Sequence, residues 1–199
     1  MIDGRRIASE LLAALKPRLA ALPEGRFFGA AIVGEDPASL NFLKQKRRTA
    51  EELGVEFRLY RLSHELSADD LRREVGRLAA PKTCGGFTVQ LPISGHERSA
   101  QYILNAIPPE KDVDLLSERA LGGFYTGRFP ALPPSVSVVE EILRARDGDL
   151  RRMSVTIIGA GFLIGRPVGF WLQNRVGSLR VFDDTVTDLR ERLADADIV

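Results

Sequence analysis

Two polar stretches of this chain carry side chains that could act together in acid–base chemistry. Gln90 follows the apolar run 85–89, whose glycines and β-branched residues are typical of a buried strand. Because Pro92 cannot continue a central ladder, Gln90 is predicted at a strand end, where open α/β sheets bind ligands. One predicted helix later, Asp112 and Asp114 stand two residues apart in a loop. The amide and the acidic loop could both face one cleft, but for each part alone a strand cap and a solvated loop are the simpler interpretations, and a functional site needs support from the rest of the chain.

A glycine-rich turn further along the chain has the form of a nucleotide-binding motif. A β-branched strand is predicted over 154–158, and the glycine turn 159–165 follows it at once. Pro167 then opens an apolar helix that reaches Leu172. A strand, a glycine turn and a helix in this order are the context in which such a turn binds a dinucleotide.

Each glycine of the turn has a predicted role. Gly159 permits a tight turn, Gly161 lets the backbone approach a pyrophosphate, and Gly165 lets the helix and the strand pack closely. Asp183, about twenty residues further on at a strand end, is placed to accept hydrogen bonds from a ribose diol. The combination predicts a dinucleotide site.

Strands and helices alternate along the chain, which predicts βαβ units and mostly parallel sheets. Ser39 and Ser67 are predicted helix N-caps, and the glycines at 122–123 and 127 are predicted to mark loops. The predicted strands are 27–33, 55–62, 85–89, 154–158 and 179–182, and the predicted helices are 2–22, 40–53, 68–78, 100–107, 138–146 and 167–172. The fold class is therefore α/β with two domains. A composition shift at 147–149 divides a catalytic domain, residues 1–145, from a Rossmann-type nucleotide-binding domain, residues 146–199.

Composition narrows the function classes. The 199 residues carry a net charge of +1, which argues against a general nucleic-acid binder. The single cysteine, Cys84, excludes an internal disulfide framework, and His64 and His96 lack metal-ligand spacing. We see neither a long apolar run typical of a membrane span nor a signal-peptide pattern. These features favour a cytoplasmic protein that uses no metal.

The sequence resembles the bifunctional methylenetetrahydrofolate dehydrogenase/methenyltetrahydrofolate cyclohydrolase family from residue 2 to the last residue. The similarity rests on VGEDPAS at 33–39, VQLP at 89–92, PEKDVD at 109–114, and the glycine turn that ends in Gly165-Arg166-Pro167. The resemblance implies an enzyme of folate one-carbon metabolism that forms a homodimer. It would oxidise 5,10-methylenetetrahydrofolate to 5,10-methenyltetrahydrofolate with NAD(P)⁺ and hydrolyse the product to 10-formyltetrahydrofolate.

The resemblance also implies roles for individual residues. Lys46 stands at the place of the family's catalytic lysine and, four residues from Phe42, shares a helix face with it. Hydrolysis needs proton transfers at the attacking water and at the leaving nitrogen, which is work for a positioned amine. Gln90 would hold that amine without adding charge, and Asp114 would accept hydrogen bonds from the pterin. The implied substrate-binding residues are Phe42, Asp114, Pro133 and Ser135.

Some positions depart from the family pattern. Phe42 replaces a tyrosine, so it keeps an aromatic face and loses the hydroxyl. Leu115 replaces the glycine after the acidic loop, and the loop with Ser135 lacks the family's second proline. Two alternatives therefore stay open: an NAD-dependent dehydrogenase for another small substrate, and an inactive folate- or nucleotide-binding relative. The joint presence of Lys46, Gln90 and Asp114 argues against the first.

The nucleotide turn favours NAD, although the family mostly uses NADP. Ala160 and Gly161 replace the arginine and serine that are the natural partners of a 2′-phosphate. Asp183 and Asp184 would place negative charge beside that phosphate, although Arg166 and Arg180 are near in sequence and could bind it. The predicted cofactor-binding residues are Gly159, Ala160, Gly161, Ile164, Gly165, Arg166, Asp183 and Asp184. Because the sequence stops at 196–199, inside a predicted apolar strand, we expect the nucleotide domain to be truncated at its C-terminal side.

Overall fold

The computed structural model describes residues 2–146 and 148–199. The chain forms two compact units, the first ending at Phe129 and the second beginning at Pro130. The domain boundary near residue 145 stays a prediction, and Asp147, part of the composition shift that suggested it, lies outside the described residues. Within these residues, every helix falls short of the length and hydrophobicity that a membrane span requires.

A three-stranded parallel sheet forms the centre of the first unit. Its strands are β1 (Phe27–Val33), β2 (Glu56–Leu62) and β3 (Cys84–Val89), in the order β2-β1-β3. The central strand β1 is almost wholly buried, which explains its continuous apolar sequence. Parallel neighbours need long crossover connections, and helices supply them here.

The first unit has five α-helices, α1 (Gly4–Ala20), α2 (Pro37–Glu52), α3 (Ala68–Ala79), α4 (Ala100–Leu104) and α5 (Glu118–Tyr125), among the described residues. Helices cover both faces of the sheet. Leu71 and Ile103, on α3 and α4, join a buried cluster with Phe87 of β3. On the other face, Leu43 of α2 packs against Ile32 of β1. Helix α2 therefore lies against the sheet with its other side free to carry polar groups.

The second unit is a smaller parallel α/β arrangement. Its elements are α6 (Pro134–Arg144), β4 (Ser154–Ile158), α7 (Gly165–Leu172), β5 (Ser178–Phe182) and α8 (Leu189–Arg192). Strands β4 and β5 pair in parallel, and Ile198 forms a parallel bridge with Val155 on the other side of β4. Strand, glycine turn and helix follow one another as the sequence predicts, and the α/β fold class with parallel sheets is confirmed.

The start of α2 differs from the prediction. Asp36, not Ser39, caps the helix: its Oδ2 accepts a hydrogen bond from the Ser39 backbone nitrogen at 2.7 Å. Pro37 fits the first helical turn because it has no N–H to satisfy there. The Ser39 hydroxyl, and then its backbone N–H, lower the pKa of the Asp36 carboxyl. The cap predicted at Ser67 is present, with its side chain accepting from the Asp70 nitrogen.

The loop predicted at 122–123 is wrong, because both glycines lie inside α5. Ser117 caps this helix by accepting from the Ala120 nitrogen at 3.4 Å, and Phe124 packs its buried face. Here the cap and tertiary packing override the low helix propensity of glycine. Gly123 also has a packing reason, since a Cβ there would lie 3.2 Å from the side chain of Phe129.

Candidate functional site

Helix α2 places Phe42 and Lys46 on one face, as their spacing predicts. The Lys46 Nζ lies 5.3 Å from the centroid of the Phe42 ring, a cation–π distance. The Phe42 side chain is 51% exposed, which is unusual for a residue of this size. An open aromatic face beside an ammonium group can receive a planar ligand by stacking.

Lys46 forms an ion pair with Asp114 from a distant part of the chain. Its Nζ donates to Asp114 Oδ2 at 2.8 Å, a length typical of a charge-assisted hydrogen bond. The two side chains are only 19% and 22% exposed, so water screens the pair less than it screens a surface ion pair. The structure thus brings two of the predicted catalytic residues into direct contact.

Asp114 reaches α2 because the loop before it runs alongside β3. Asp112 forms a parallel bridge with Phe87, and the Val113 nitrogen donates to the Phe87 carbonyl at 3.4 Å. A Cβ on Gly86 would lie 2.5 Å from Val113 Cγ1, so any larger residue there would require the Val113 side chain to move. Glycine at this position of β3 therefore leaves room for the loop that carries Asp114.

Thr88 is a candidate site residue that lies outside the sequence motifs. It lies on β3 and is 1% exposed, and its hydroxyl Oγ1 donates to Asp114 Oδ2. The sequence did carry a signal, because Thr88 is the one hydroxyl in an otherwise apolar strand, Cys84–Val89. A buried hydroxyl needs a hydrogen-bond partner, and here the partner is the candidate catalytic carboxylate.

Two further residues of the acidic loop anchor it. Asp112 is buried, and its Oδ2 accepts from the Ser117 nitrogen at 2.7 Å. Lys111 Nζ donates to backbone carbonyl oxygens at and just after the C-terminal end of α3, those of Ala79, Ala80 and Pro81, at 2.7, 3.0 and 2.8 Å. An ammonium group at a helix C-terminus is favoured by the helix dipole. The loop is therefore tied to Ser117 through Asp112 and to the end of α3 through Lys111, just before it reaches Asp114.

Leu115 keeps the backbone conformation that a glycine would allow. Its φ is +52°, in the left-handed region, and its side chain is 2% exposed. A non-glycine residue in this region costs about 1–2 kcal/mol. Burial of a leucine side chain contributes a similar amount, about 1.5–3 kcal/mol, and offsets that strain. Burial therefore compensates for a non-glycine residue at this position of the loop.

Gln90 lies directly after β3, but its side chain does not hold Lys46 in this structure. Its Nε2 donates to the carbonyl oxygen of Leu91 at 3.0 Å, and the Ser39 hydroxyl donates to the same carbonyl at 3.3 Å. Within the described residues, these bonds join Gln90 to the start of α2 rather than to the lysine. The predicted amide–amine contact is therefore not formed here.

A cleft of about 980 Å³ opens beside the ion pair. Phe42, Lys46 and Asp114 line it, together with apolar groups that include Phe28 and Val113. Its volume lies in the range of sites that hold small-molecule ligands, and its few polar groups are of the kind that fix a ligand's orientation. Gln90 is not one of its lining residues.

In the second unit, the shape of the glycine turn depends on its glycines. Gly159 has a φ of +105°, and a Cβ on Gly165 would lie 1.7 Å from the Gly159 carbonyl oxygen. A Cβ on Gly161 would meet no other part of the described chain within 4 Å, so the backbone there is open to approach. Two positions thus require glycine, and the third leaves room for a phosphate group, as a dinucleotide site needs.

The side chains near the turn mostly bond within the second unit. Arg166 Nε donates to the Ala160 carbonyl at 3.0 Å, and the Ser135 hydroxyl donates to the Leu163 carbonyl at 2.8 Å. Ile164, just before α7, is 63% exposed. Pro133 directly precedes α6. Ser135, predicted to bind substrate, therefore contacts the nucleotide turn.

Asp183 follows β5 and is held by its neighbour. Its Oδ1 accepts from the Thr185 hydroxyl at 2.6 Å and from the Thr185 nitrogen at 3.0 Å. The hydroxyl first, and then the backbone N–H, lower the pKa of the Asp183 carboxyl. Asp184 is exposed beside it. Arg180, one possible phosphate partner, forms an ion pair with Asp195 at 2.7 Å.

The geometry of the two units, each considered by itself, indicates the class of this protein. The first unit is a parallel α/β unit with a lysine–carboxylate pair in a cleft, and the second is a Rossmann-type nucleotide-binding unit. The part of the chain that the structure describes contains no group of three or more His, Cys, Asp or Glu side chains that could hold a metal ion.

Comparison with known proteins identifies the family. The sequence model of the family "Tetrahydrofolate dehydrogenase/cyclohydrolase, catalytic domain" matches residues 2–114. The chain is 29% identical over 202 residues to the bifunctional protein FolD of Staphylococcus haemolyticus, covering 100% of this chain and 70% of that protein. The chain therefore belongs to the tetrahydrofolate dehydrogenase/cyclohydrolase family, and the resemblance predicted from the motifs is confirmed.

Solved structures agree with this assignment. The bifunctional enzyme FolD of Campylobacter jejuni is 27% identical with a TM-score of 0.88, covering 99% of this chain and 72% of that one. The Trypanosoma brucei N5,N10-methylenetetrahydrofolate dehydrogenase-cyclohydrolase, solved with NADP cofactor and inhibitor, is 28% identical with a TM-score of 0.88. That match covers 100% of this chain and 70% of the relative.

Proposed function

We propose that this protein oxidises 5,10-methylenetetrahydrofolate to 5,10-methenyltetrahydrofolate with a nicotinamide cofactor and hydrolyses the product to 10-formyltetrahydrofolate. The observation that carries the proposal is the Lys46–Asp114 pair, 2.8 Å apart in a cleft beside the exposed ring of Phe42. Family membership and the names of the relatives, which are bifunctional enzymes of this kind, support the same reaction.

Substrate binding in this proposal uses the carboxylate and the ring. Asp114 accepts hydrogen bonds from the ring N–H and amino group of the pterin, a donor edge that a carboxylate matches. Phe42 stacks on the aminobenzoyl ring; without a hydroxyl it positions the ring by its face alone. Pterin donors at Asp114 also weaken the hold of that carboxylate on Lys46, because its negative charge is then shared among more donors.

Hydrolysis of the methenyl group then proceeds through Lys46. Water adds to the methenyl carbon, and the amine takes up the proton that the water loses as the new C–O bond forms. The amine returns that proton to the ring nitrogen as the C–N bond breaks and the C=O bond of the formyl group forms. The proton of the added hydroxyl leaves to water, so the cationic substrate and one water give the neutral product and one released proton. Gln90 would contact the amine through its neutral amide after turning from the Leu91 carbonyl that it now donates to.

The glycine turn and the N-terminal end of α7 would hold the cofactor. Gly159 and Gly165 fit the turn by shape, and Gly161 leaves its backbone N–H accessible to a pyrophosphate. When bound, a nicotinamide cofactor supplies the hydride acceptor for the oxidation. The residues of this chain bind and orient it, and the NADP complex of the Trypanosoma brucei relative supports a nicotinamide dinucleotide as the cofactor.

For the choice between the two cofactors, we propose NAD. Ala160 and Gly161 offer no cation or hydroxyl to a 2′-phosphate, and Asp183 and Asp184 would repel it. Arg166 and Arg180 each already bond within the unit, to the Ala160 carbonyl and to Asp195. A free 2′-hydroxyl could instead donate to Asp183.

Assembly and location are also proposals. The resemblance and the near-neutral net charge of +1 support a cytoplasmic homodimer that binds neither nucleic acid nor membranes. Light scattering coupled to size exclusion measures the mass of the assembly directly. A monomer across the working concentration range would contradict the dimer and leave the proposed reaction untouched.

The experiment that tests the reaction follows each half of it separately. The purified protein is mixed with methenyltetrahydrofolate, and the decay of its absorbance is compared with the uncatalysed decay in the same buffer. In a second assay, methylenetetrahydrofolate and NAD⁺ are supplied and formation of reduced cofactor is recorded. We expect catalysis of both steps. A protein that binds folate yet accelerates neither step would be an inactive relative.

A further inference from the structure

Asp114 uses its two carboxylate oxygens differently. Oδ2 accepts from both Lys46 Nζ and the hydroxyl of Thr88. Among the described residues, no hydrogen bond reaches Oδ1, and Asp114 lines the cleft. One oxygen is therefore saturated by the protein, and the other is left to a ligand.

Thr88, rather than Lys46 alone, explains why the two oxygens of Asp114 differ. A lysine side chain is long and flexible, so by itself it can follow the carboxylate through many orientations. Thr88 is β-branched, buried in β3 and 1% exposed, so its hydroxyl has a fixed direction. A second donor at Oδ2 from this rigid position fixes the plane of the Asp114 carboxylate.

We propose that Thr88 is a positioning residue that orients Asp114, so that Oδ1 faces the donor edge of the pterin. The inference rests on the proposed function, because it assumes that Asp114 binds the pterin of a reduced folate. It adds a specificity-determining residue that does not itself touch the substrate. Thr88 acts on substrate binding only through Asp114.

The variant that tests it is Thr88→Val, which keeps the buried volume and removes only the hydroxyl. Orientation of Asp114 matters equally in the ground state and in the transition state, so the loss appears in KM and not in kcat. We expect KM for methenyltetrahydrofolate to rise about tenfold, as for the loss of one hydrogen bond to a charged group. Thr88→Ser, which restores the hydroxyl, should return KM close to the wild-type value.

A matched control is available in the second unit. Thr156 is also 1% exposed in a strand, and its hydroxyl has no hydrogen-bond partner within the described residues. Thr156→Val therefore removes a buried hydroxyl without removing a bond, and KM should be unchanged. Circular dichroism and thermal unfolding show that each variant is folded before its kinetics are compared.

A double-mutant cycle separates Thr88 from a general effect on packing. In an Asp114→Asn background, the added change Thr88→Val should alter KM by less than about twofold, because the residues act as one unit.

Each adverse outcome has one meaning. If the wild-type protein hydrolyses methenyltetrahydrofolate but Thr88→Val leaves KM unchanged, or Thr88→Ser fails to restore it, this inference alone is overturned. If the wild-type protein does not hydrolyse it, the proposed function falls and this inference with it.

Discussion

In the first unit the candidate site is made of side chains that bond to one another, whereas in the second it is made of backbone. Lys46 and Thr88 both donate to one oxygen of Asp114, and the loop that carries Asp114 is anchored by Lys111. The glycine turn 159–165 instead offers its N–H groups and its shape, and Asp183 bonds only to its neighbour Thr185 among the described residues.

This difference determines which changes should matter in each unit. Where side chains do the chemistry, removing one functional group should reduce the rate and spare the fold. Where the backbone binds, adding one atom at a crowded position should damage the fold, while an exposed side chain should only adjust the choice of ligand.

Lys46→Met should reduce hydrolysis of methenyltetrahydrofolate by about 10²–10⁴-fold, the usual effect of losing one acid–base group. The protein should stay folded, since Asp114 keeps the Thr88 hydroxyl as a donor and is partly exposed. The measurement is kcat from the absorbance decay, with circular dichroism as the check on folding.

The matched control for this variant is Lys44→Met, which removes a charge from an exposed position on the same helix. It should leave kcat near the wild-type value. Near-wild-type hydrolysis by Lys46→Met would mean that the basic stretch of α2 is only a solvated helix face, and the catalytic assignment would fail.

Gly165→Ala should destabilise the second unit by about 3 kcal/mol, the upper end of the usual cost of overpacking. The added Cβ would lie 1.7 Å from the Gly159 carbonyl, which is backbone and cannot rotate away. Urea unfolding followed by the fluorescence of Trp171, which lies on α7, measures the loss. Gly161→Ala is the control, because its added Cβ would meet no other part of the described chain within 4 Å. Equal midpoints for the two variants would contradict the backbone interpretation.

Asp183→Ser combined with Ala160→Arg should shift the cofactor preference toward NADP. The change removes a carboxylate near the ribose and adds a cation that can bind a 2′-phosphate. We expect the ratio of the two dissociation constants, measured by calorimetry, to change at least about tenfold, the effect of 1.4 kcal/mol. The ratio of kcat/KM for the two cofactors should follow.

The control for the cofactor prediction is Glu191→Gln, which removes one negative charge from α8 in the same unit without touching the turn. It should leave the ratio unchanged. If the wild-type protein already binds NADP more tightly than NAD, another cation reaches the phosphate, and our interpretation of the turn is wrong.

The sequence predicted most of the fold because its signals are local. The apolar run Phe27–Val33 is a strand with the predicted ends, and the strand Ser154–Ile158 before the glycine turn is as well. Where the local sequence signal was weak, tertiary packing determined the secondary structure. The glycines at 122–123 lie in a helix because Ser117 caps it and Phe124 is buried under it.

The site was only partly predictable, because spacing along the chain does not show which distant residues come into contact. Lys46 and Asp114 were identified separately, but their 2.8 Å contact joins residues 68 positions apart. Thr88 has no motif of its own, and its role depends on the bridge between Phe87 and Asp112 that brings Asp114 beside it. Such relations arise from the register of the acidic loop on β3, which sequence patterns do not fix.

The smallest expected effect concerns Lys111. Changing this residue tests whether the anchor of the acidic loop can be weakened without changing the chemistry of the first unit. Its ammonium group binds the carbonyl oxygens of Ala79, Ala80 and Pro81, and so ties the acidic loop to the segment that leads into β3. Lys111→Met should cost about 1–2 kcal/mol in local stability, the upper part of the range for a cation at a helix C-terminus, because Lys111 is partly buried and bonds to three carbonyls. Unlike Lys46→Met, it should leave kcat for hydrolysis almost unchanged, because Lys111 does not line the cleft.

Cys84, at the start of β3, reports this local opening. It is the one cysteine of the chain, and burial raises the pKa of its thiol, so the closed protein should react slowly with a thiol reagent. Because labelling proceeds through opened molecules, a loss of 1.4 kcal/mol corresponds to about tenfold faster labelling. We therefore expect about tenfold faster reaction of Cys84 with iodoacetamide in Lys111→Met than in Lys82→Met, which removes an exposed lysine in the same segment. Equal labelling rates would show that the three carbonyl contacts do not hold β3 and the acidic loop together, and that the other contacts of the loop, such as the bridge between Phe87 and Asp112, are enough to position Asp114.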